Sequence, residues 1–141
     1  MELPGKRITD FINRHHVLTL ATCAGGIPWC ANCFYVYLEG TNQLVFTSDD
    51  KTKHVQDVLQ NPEVAGSIVL ETSVVGKIQG IQFRGVMRRP QPAESTAVQM
   101  AYLKRFPFAL LMDTSLWVVD LSYLKMTDNR LGFGKKLIWE R

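Results

Sequence analysis

Residues 46–54, Phe-Thr-Ser-Asp-Asp-Lys-Thr-Lys-His, place hydroxyl, carboxylate, ammonium and imidazole groups side by side in the chain. They follow an apolar β-type run, Gln43-Leu44-Val45-Phe46-Thr47, and lead into a helical pattern with apolar residues at Val55, Val58 and Leu59. Asp49 or Asp50 is the expected N-cap, and Asn61-Pro62 ends the helix. Lys51, Lys53 and His54 then fall in or beside the first turn. Cations there are unfavourable by about a few tenths of a kcal/mol each, because a helix N-terminus carries partial positive charge and free N–H groups. A bound phosphate would reverse that sign, since hydroxyls (Thr47, Ser48), amide N–H groups and lysines would face one anion. The plainer alternative is that the aspartates cap the helix and the basic side chains point into water.

Other chemical groups are less organised. Cys30-Ala31-Asn32-Cys33 has the spacing of a redox or zinc pair, but it lies within an apolar, aromatic run that reads as a strand. Residues three apart on a strand point to opposite faces, whereas redox pairs of this spacing sit at a helix start. Neither a second such pair nor a His-x-x-x-His motif completes a zinc site. A buried, structural role is therefore expected for these thiols, and three cysteines make no disulfide framework. His15-His16 lies between a helix and a strand, where structural or solvated roles are expected. Asp113, Asp120 and Asp128 lack the spacing of a carboxylate pair. Gly132-Phe133-Gly134-Lys135-Lys136 is an aromatic-basic loop without the strand–helix context of a nucleotide loop.

At 141 residues the chain is expected to form one domain, residues 1–141, burying about two-thirds of its unfolded surface. A net charge of +3, thinly dispersed, argues against nucleic acid as a partner. No apolar run approaches the roughly 20 residues that span a bilayer, and the N-terminal residues lack a signal-peptide core. A cytoplasmic location, away from membranes, is the expectation.

The elements that must position these groups follow from period and punctuation. A helix is expected over Lys6–Arg14, with strands at Val17–Ala24 and Trp29–Leu38 joined by Gly25-Gly26. A second hairpin turns at Gly40-Thr41-Asn42 into Leu44–Ser48. A helix at Thr52–Gln60 precedes strands at Val64–Leu70 and Gly80–Arg89. Pro90 and Pro92 open a helix to Arg105, with apolar positions Ala97, Met100, Ala101 and Leu103. Strands close the chain at Leu116–Leu121 and Leu137–Trp139, with Lys125–Thr127 a short one between. Six or seven antiparallel strands with about three short helices make a mainly β protein, a barrel with helical insertions. Both faces of Trp29–Leu38 are apolar, although an antiparallel strand normally shows one face to water. A dimer partner, a flat aromatic ligand or the helices must cover the second.

The order of these elements, with Thr47-Ser48 ending a strand, Lys53 opening a helix and Asn61-Pro62-Glu63-Val64 closing it, resembles the pyridoxamine-phosphate-oxidase-like split-barrel flavoproteins. Trp29-Cys30-Ala31-Asn32-Cys33-Phe34-Tyr35, Gly80-Ile81-Gln82-Phe83-Arg84-Gly85, Arg105-Phe106-Pro107 and Thr127-Asp128-Asn129-x-Leu131-Gly132-Phe133-Gly134-Lys135-Lys136 are similar to the uncharacterised YhbP-like branch of that superfamily. The resemblance implies a six-stranded split barrel, a homodimer, and FMN in two clefts at the dimer interface. It places Asn32, Cys33 and Phe34 along the flavin ring and Thr47, Ser48 and Lys53 at the ribityl phosphate. Lys51, Thr52 and His54 lie next to that position. Gln82 is a candidate for the flavin's polar edge, the alternative being a solvated barrel face. Lys135 and Lys136 would lie near the phosphate or a substrate anion if the last segment walls the cleft, and are solvated if it is an ordinary closing strand.

The departures restrict the activity. The oxidase uses an arginine on its second strand for the flavin phosphate, and Ala31 stands at the matching position. Its pyridoxal-phosphate-gripping Arg-x-His segment has no counterpart before Arg141. The expectation is therefore an FMN-dependent oxidoreductase of unknown substrate, not a pyridoxamine-phosphate oxidase. The alternative is a non-catalytic flavin- or haem-binding protein on the same barrel.

Overall fold

The computed structural model describes residues 2–141. Seven antiparallel strands form one sheet: β1 (Val17–Ala24), β2 (Ile27–Leu38), β3 (Gln43–Ser48), β4 (Glu63–Val69), β5 (Gln79–Arg88), β6 (Ser115–Asp128) and β7 (Lys136–Glu140). Their order is β3-β2-β1-β4-β5-β6-β7, and a further pairing of β3 with β6 closes six of them into a barrel. Strand β6 is long enough to serve three partners. Its first half lies against β3, from Ser48↔Ser115 to Gln43↔Asp120, and its second half against β7, while β5 runs beside most of its length.

The sequence pattern suggests two strands in this region, and the structure has one. Alternation breaks at Ser122, where the β5–β6 register shifts so that Arg84 faces Tyr123 and Gly85 faces Leu121. A bulge of this kind bends a strand without ending it. Glycine is needed at Gly85, because a Cβ there would lie 2.5 Å from the Asp120 carbonyl oxygen. Gly66 on β4 is tighter still: a Cβ would meet the Phe83 ring at 2.2 Å and the Thr19 carbonyl oxygen at 2.3 Å. The β1–β2 turn uses Gly25 and Gly26, both at positive φ.

Three helices, α1 (Lys6–Arg14), α2 (Lys53–Gln60) and α3 (Pro92–Arg105), pack on the barrel. Helix α1 buries Ile8, Phe11 and Ile12, and the Tyr35 hydroxyl donates to the Ile12 carbonyl at 2.6 Å. Helix α2 buries Val55 and Val58 but leaves Leu59 exposed. Helix α3 turns a different face inward from the apolar pattern read above, burying Val98 and Tyr102 while Met100 is exposed. An ion pair of Arg88 with Glu94 at its first turn, extended to Asp120 at 2.6 Å, sets that rotation. Among the described residues no helix is long and apolar enough to cross a membrane.

Candidate functional site

Side chains on β2 and β3 alternate between the barrel interior and an outer face, and this divides the candidate residues into two layers. Cys33 and Ser48 point inward. Burial pushes the Cys33 thiol up to about 11, with a hydrogen bond to Ser48 acting in the opposite direction. Ser48 Oγ lies 2.7 Å from His54 Nε2, and both residues are buried. Burial lowers the His54 pKa from its ordinary value, while Asp57 opposes the shift. Cys33, Ser48 and His54 thus make an inner chain that joins β2, β3 and the start of α2.

The outer layer carries the groups open to a ligand. Thr47 Oγ1 is 3.4 Å from the Tyr102 hydroxyl, which donates to the Phe34 carbonyl at 3.2 Å. The end of β3 and the middle of β2 therefore meet at one tyrosine of α3. Phe34 is half exposed, packed beside Phe106 and Phe108, with the His16 ring nearly parallel to it at 6.0 Å. A cavity of about 240 Å³ opens beside Thr47 and Tyr102, lined also by Leu103, Leu110, Met112 and Leu116 and by the polar Gln99 and Thr114.

At the start of α2 the N-cap is Thr52, not Asp49 or Asp50. Asp49 instead accepts from the Lys51 amide at 2.8 Å and, through its carbonyl, from the Thr52 hydroxyl. This turn delays the helix by two to three residues relative to the aspartates. Asp50 is drawn to Arg89 at 3.1 Å. Lys53 is half exposed and ion-paired with the buried Asp57, which also accepts from Thr22 Oγ1 at 2.9 Å. The hydrogen bond from Lys53 is the main reason the Asp57 carboxyl sits below its ordinary value. Lys51 is exposed.

Asn32 and Gln82 belong to a different part of the outer face. Successive registers carry one row across the sheet, Asn32–Thr19–Ser67–Gln82–Lys125–Ile138, with Thr19 Oγ1 donating to Asn32 Oδ1 at 2.9 Å. Lys136 faces Thr127 at the far end of β6 from the Ser48↔Ser115 pair. One protomer therefore does not bring Gln82, Lys135 or Lys136 to Thr47 and Lys53. It brings together Phe34, Thr47, Ser48, Lys53 and His54, with Cys33 behind them and Asn32 at the near edge of the row. Tyr102 was not legible as a site residue, since it sits mid-helix and only its hydroxyl reaches the strands.

The cysteines separate by face. Cys33 is buried as expected, but Cys30, paired with Ala21 of β1, is exposed on the outer face. Among the described residues no cluster of three or more His, Cys, Asp or Glu could hold a metal.

The family described as pyridoxamine 5'-phosphate oxidase matches residues 5–123. A UPF0306 protein of Photorhabdus laumondii is 40% identical over 134 residues, covering 95% of this chain and 94% of that one. Among solved structures, the fold is like that of a heme binding protein from Mycobacterium smegmatis, with a TM-score of 0.79 and 21% identity. That match covers 99% of this chain but 60% of that protein, so the chain spans about three-fifths of its length. An FAD-binding protein from Mesorhizobium loti aligns at a TM-score of 0.72 and 13% identity, covering 88% of this chain and 94% of that one. At such identities the structural likenesses bear on the fold, a split barrel.

Proposed function

The chain belongs to the pyridoxamine 5'-phosphate oxidase family, and from that premise we propose that it is a homodimeric, FMN-binding oxidoreductase whose substrate is not pyridoxamine phosphate. One observation carries the proposal. The Tyr102 hydroxyl touches both Thr47 Oγ1 and the Phe34 carbonyl, so a candidate phosphate anchor and a candidate ring-stacking strand lie within one side chain's reach. The groups present fit a phosphorylated flavin: a strand-end hydroxyl at Thr47 and ammonium groups at Lys51 and Lys53 for the phosphate, and a half-exposed Phe34 beside Asn32 for the ring. Ser48 and His54 hold β3 to α2 from inside and fix where Thr47 and Lys53 emerge. FMN, when bound, supplies the electron-transfer chemistry; the chain supplies its position and the charge around it. The lack of an Arg-x-His segment to grip pyridoxal phosphate is the reason to set aside the family's named reaction, whereas Ala31, which offers no guanidinium to the flavin phosphate, bears on how tightly FMN is held.

Dimerisation supports the same reading. Val17, Phe34, Val69 and Ile138 are all exposed on the outer face that carries the Asn32–Gln82 row. A second copy covering that face would bury a large apolar area, in the class above about 2,000 Å². It would also carry Gln82, Lys135 and Lys136 toward the first copy's Phe34. Sedimentation at micromolar concentration tests this, and a monomer would overturn it.

A second reading keeps the barrel and the planar ligand but makes the ligand haem and the protein non-catalytic. The His16 imidazole beside the flat, half-exposed Phe34 ring is its supporting observation. The absorbance spectrum of protein reconstituted separately with FMN and with haemin separates the two. Saturable uptake of FMN, with the two visible flavin bands, supports the flavin reading; uptake of haemin alone overturns it.

A further inference from the structure

A second cavity, of about 510 Å³, lies away from the candidate site and is lined by Lys6, Arg7, Asp10, Arg14 and Arg130. Helix α1 provides four of these, because residues 6, 7, 10 and 14 fall on the face opposite Ile8, Phe11 and Ile12. The fifth comes from the short turn after β6. Four cations thus face one carboxylate across a concave surface of a size usual for small-molecule sites, about 300–1,000 Å³.

The cavity has a built floor. Asp128, fully buried, accepts two hydrogen bonds from the Arg130 guanidinium, at 3.0 and 2.9 Å, and one from Arg7 at 3.4 Å. Arg130 is the main cause of the depressed Asp128 pKa, and the carboxylate holds both guanidinium groups in place. Lys6 is satisfied by Asp10 at 2.7 Å. Arg14 has no acceptor among the described residues. With Asp10 and Asp128 both counted, two positive charges remain at this cavity, in a chain whose whole formal excess is three.

We propose that this cavity binds a small anion carrying two linked phosphate groups. The surplus charges sit at opposite ends of α1, with Arg7 and Arg14 separated by about 10 Å along the helix axis at 1.5 Å per residue. A single phosphate reaches one end only, whereas a diphosphate with inward-leaning arginines spans both. Guanidinium forks suit phosphate oxygens, which each accept paired N–H bonds. The charge is gathered in one pocket rather than spread along a stripe, which favours a compact ligand over a nucleic-acid backbone. The diphosphate belongs either to a soluble metabolite or to a lipid headgroup.

Isothermal titration of the full chain with inorganic pyrophosphate, orthophosphate and sulfate at low salt tests the assignment. Pyrophosphate should bind saturably and about tenfold or more tighter than orthophosphate. Arg14→Glu, at an exposed residue outside the Asp128 network, should weaken it by about tenfold or more with an unchanged melting temperature. Lys53→Ala should leave pyrophosphate binding as it is. Absence of saturable binding, no preference over orthophosphate, or full affinity in Arg14→Glu would each overturn the proposal. Loss of affinity in Lys53→Ala alone would place the anion at α2 and overturn it too. Co-sedimentation with phosphatidylcholine vesicles carrying a polyprenyl diphosphate, abolished by Arg14→Glu and competed by pyrophosphate, assigns the lipid source; no co-sedimentation assigns the soluble one.

Discussion

Replacing Lys53 by alanine separates the phosphate site from the scaffold that holds it. The lysine has three N–H donors, of which one is committed to Asp57 and the rest face solvent from a half-exposed position. A charge-assisted hydrogen bond to phosphate is worth about 1.5–3 kcal/mol when well shielded. Half exposure lowers that to about 1–2 kcal/mol, or roughly five- to thirtyfold in affinity. Riboflavin lacks the phosphate, so its affinity should not change. Fluorescence-quenching titrations of both ligands give the ratio directly. Equal losses for FMN and riboflavin would refute the assignment, because they would mean that the substitution had disturbed the ring site or the fold. Asp57 is the reason to run the control: without Lys53 its buried carboxylate keeps only Thr22. The Lys53–Asp57 bond depresses the carboxyl pKa, so its contribution to stability is present above the ordinary carboxylate range and lost as pH falls through the folded value. Lys53→Ala should therefore reduce stability at neutral pH more than at strongly acid pH. Adding Asp57→Asn should restore much of the loss without restoring FMN affinity.

Three further outcomes are expected. Gly66→Ala should cost about 3 kcal/mol or more, since one of its two clashes is with backbone, and should lower the melting temperature by roughly 10 °C; Gly80→Ala, whose nearest backbone atom is at 3.4 Å, should be nearly neutral, and equal melting temperatures would contradict the packing. A thiol reagent at pH 8 should label Cys33 only on unfolding, since Cys33 is buried with its thiol pushed up to about 11; labelling of Cys33 in the folded protein would count against the barrel register at β2. His54 has a lowered folded pKa, so its contribution is full above the ordinary 6.5 and declines as pH falls through the folded value; His54→Gln should flatten stability across that acid-side window, and an unchanged profile would remove His54 as its cause.

Local punctuation in this chain is legible without a structure. Gly25-Gly26, Asn61-Pro62 and Phe106-Pro107 mark turns and helix ends through φ restriction and missing N–H donors, and the elements between them appear where the pattern puts them. Misreadings arise where tertiary contacts choose between local options. Thr52 rather than Asp49 caps α2 because the Asp49 side chain is already spent on the turn before it. Ser122 ends a pattern but not a strand, because β5 and β7 carry β6 through the bulge. The separation of Gln82 and Lys136 from Lys53 is a matter of register between strands far apart in sequence, which no local period encodes. The basic cavity was invisible for the same reason, since Arg130 joins α1 only through the buried Asp128.

The dependence of closure on β6 sets a timetable for making this protein. β3 finds its second neighbour only through pairs such as Gln43 with Asp120, 77 residues later. Ribosomes add about 5–20 residues per second, so several seconds pass between the emergence of β3 and that of its partner. Through that interval the apolar edge Leu44-Val45-Phe46 has β2 on one side and nothing on the other, the condition in which strands recruit foreign chains. Long-range pairing of this kind also places spontaneous folding in the slow, millisecond-to-second range of β-topologies. The strand that finishes the barrel is therefore also the one whose late arrival decides whether the nascent chain closes on itself or on a neighbour.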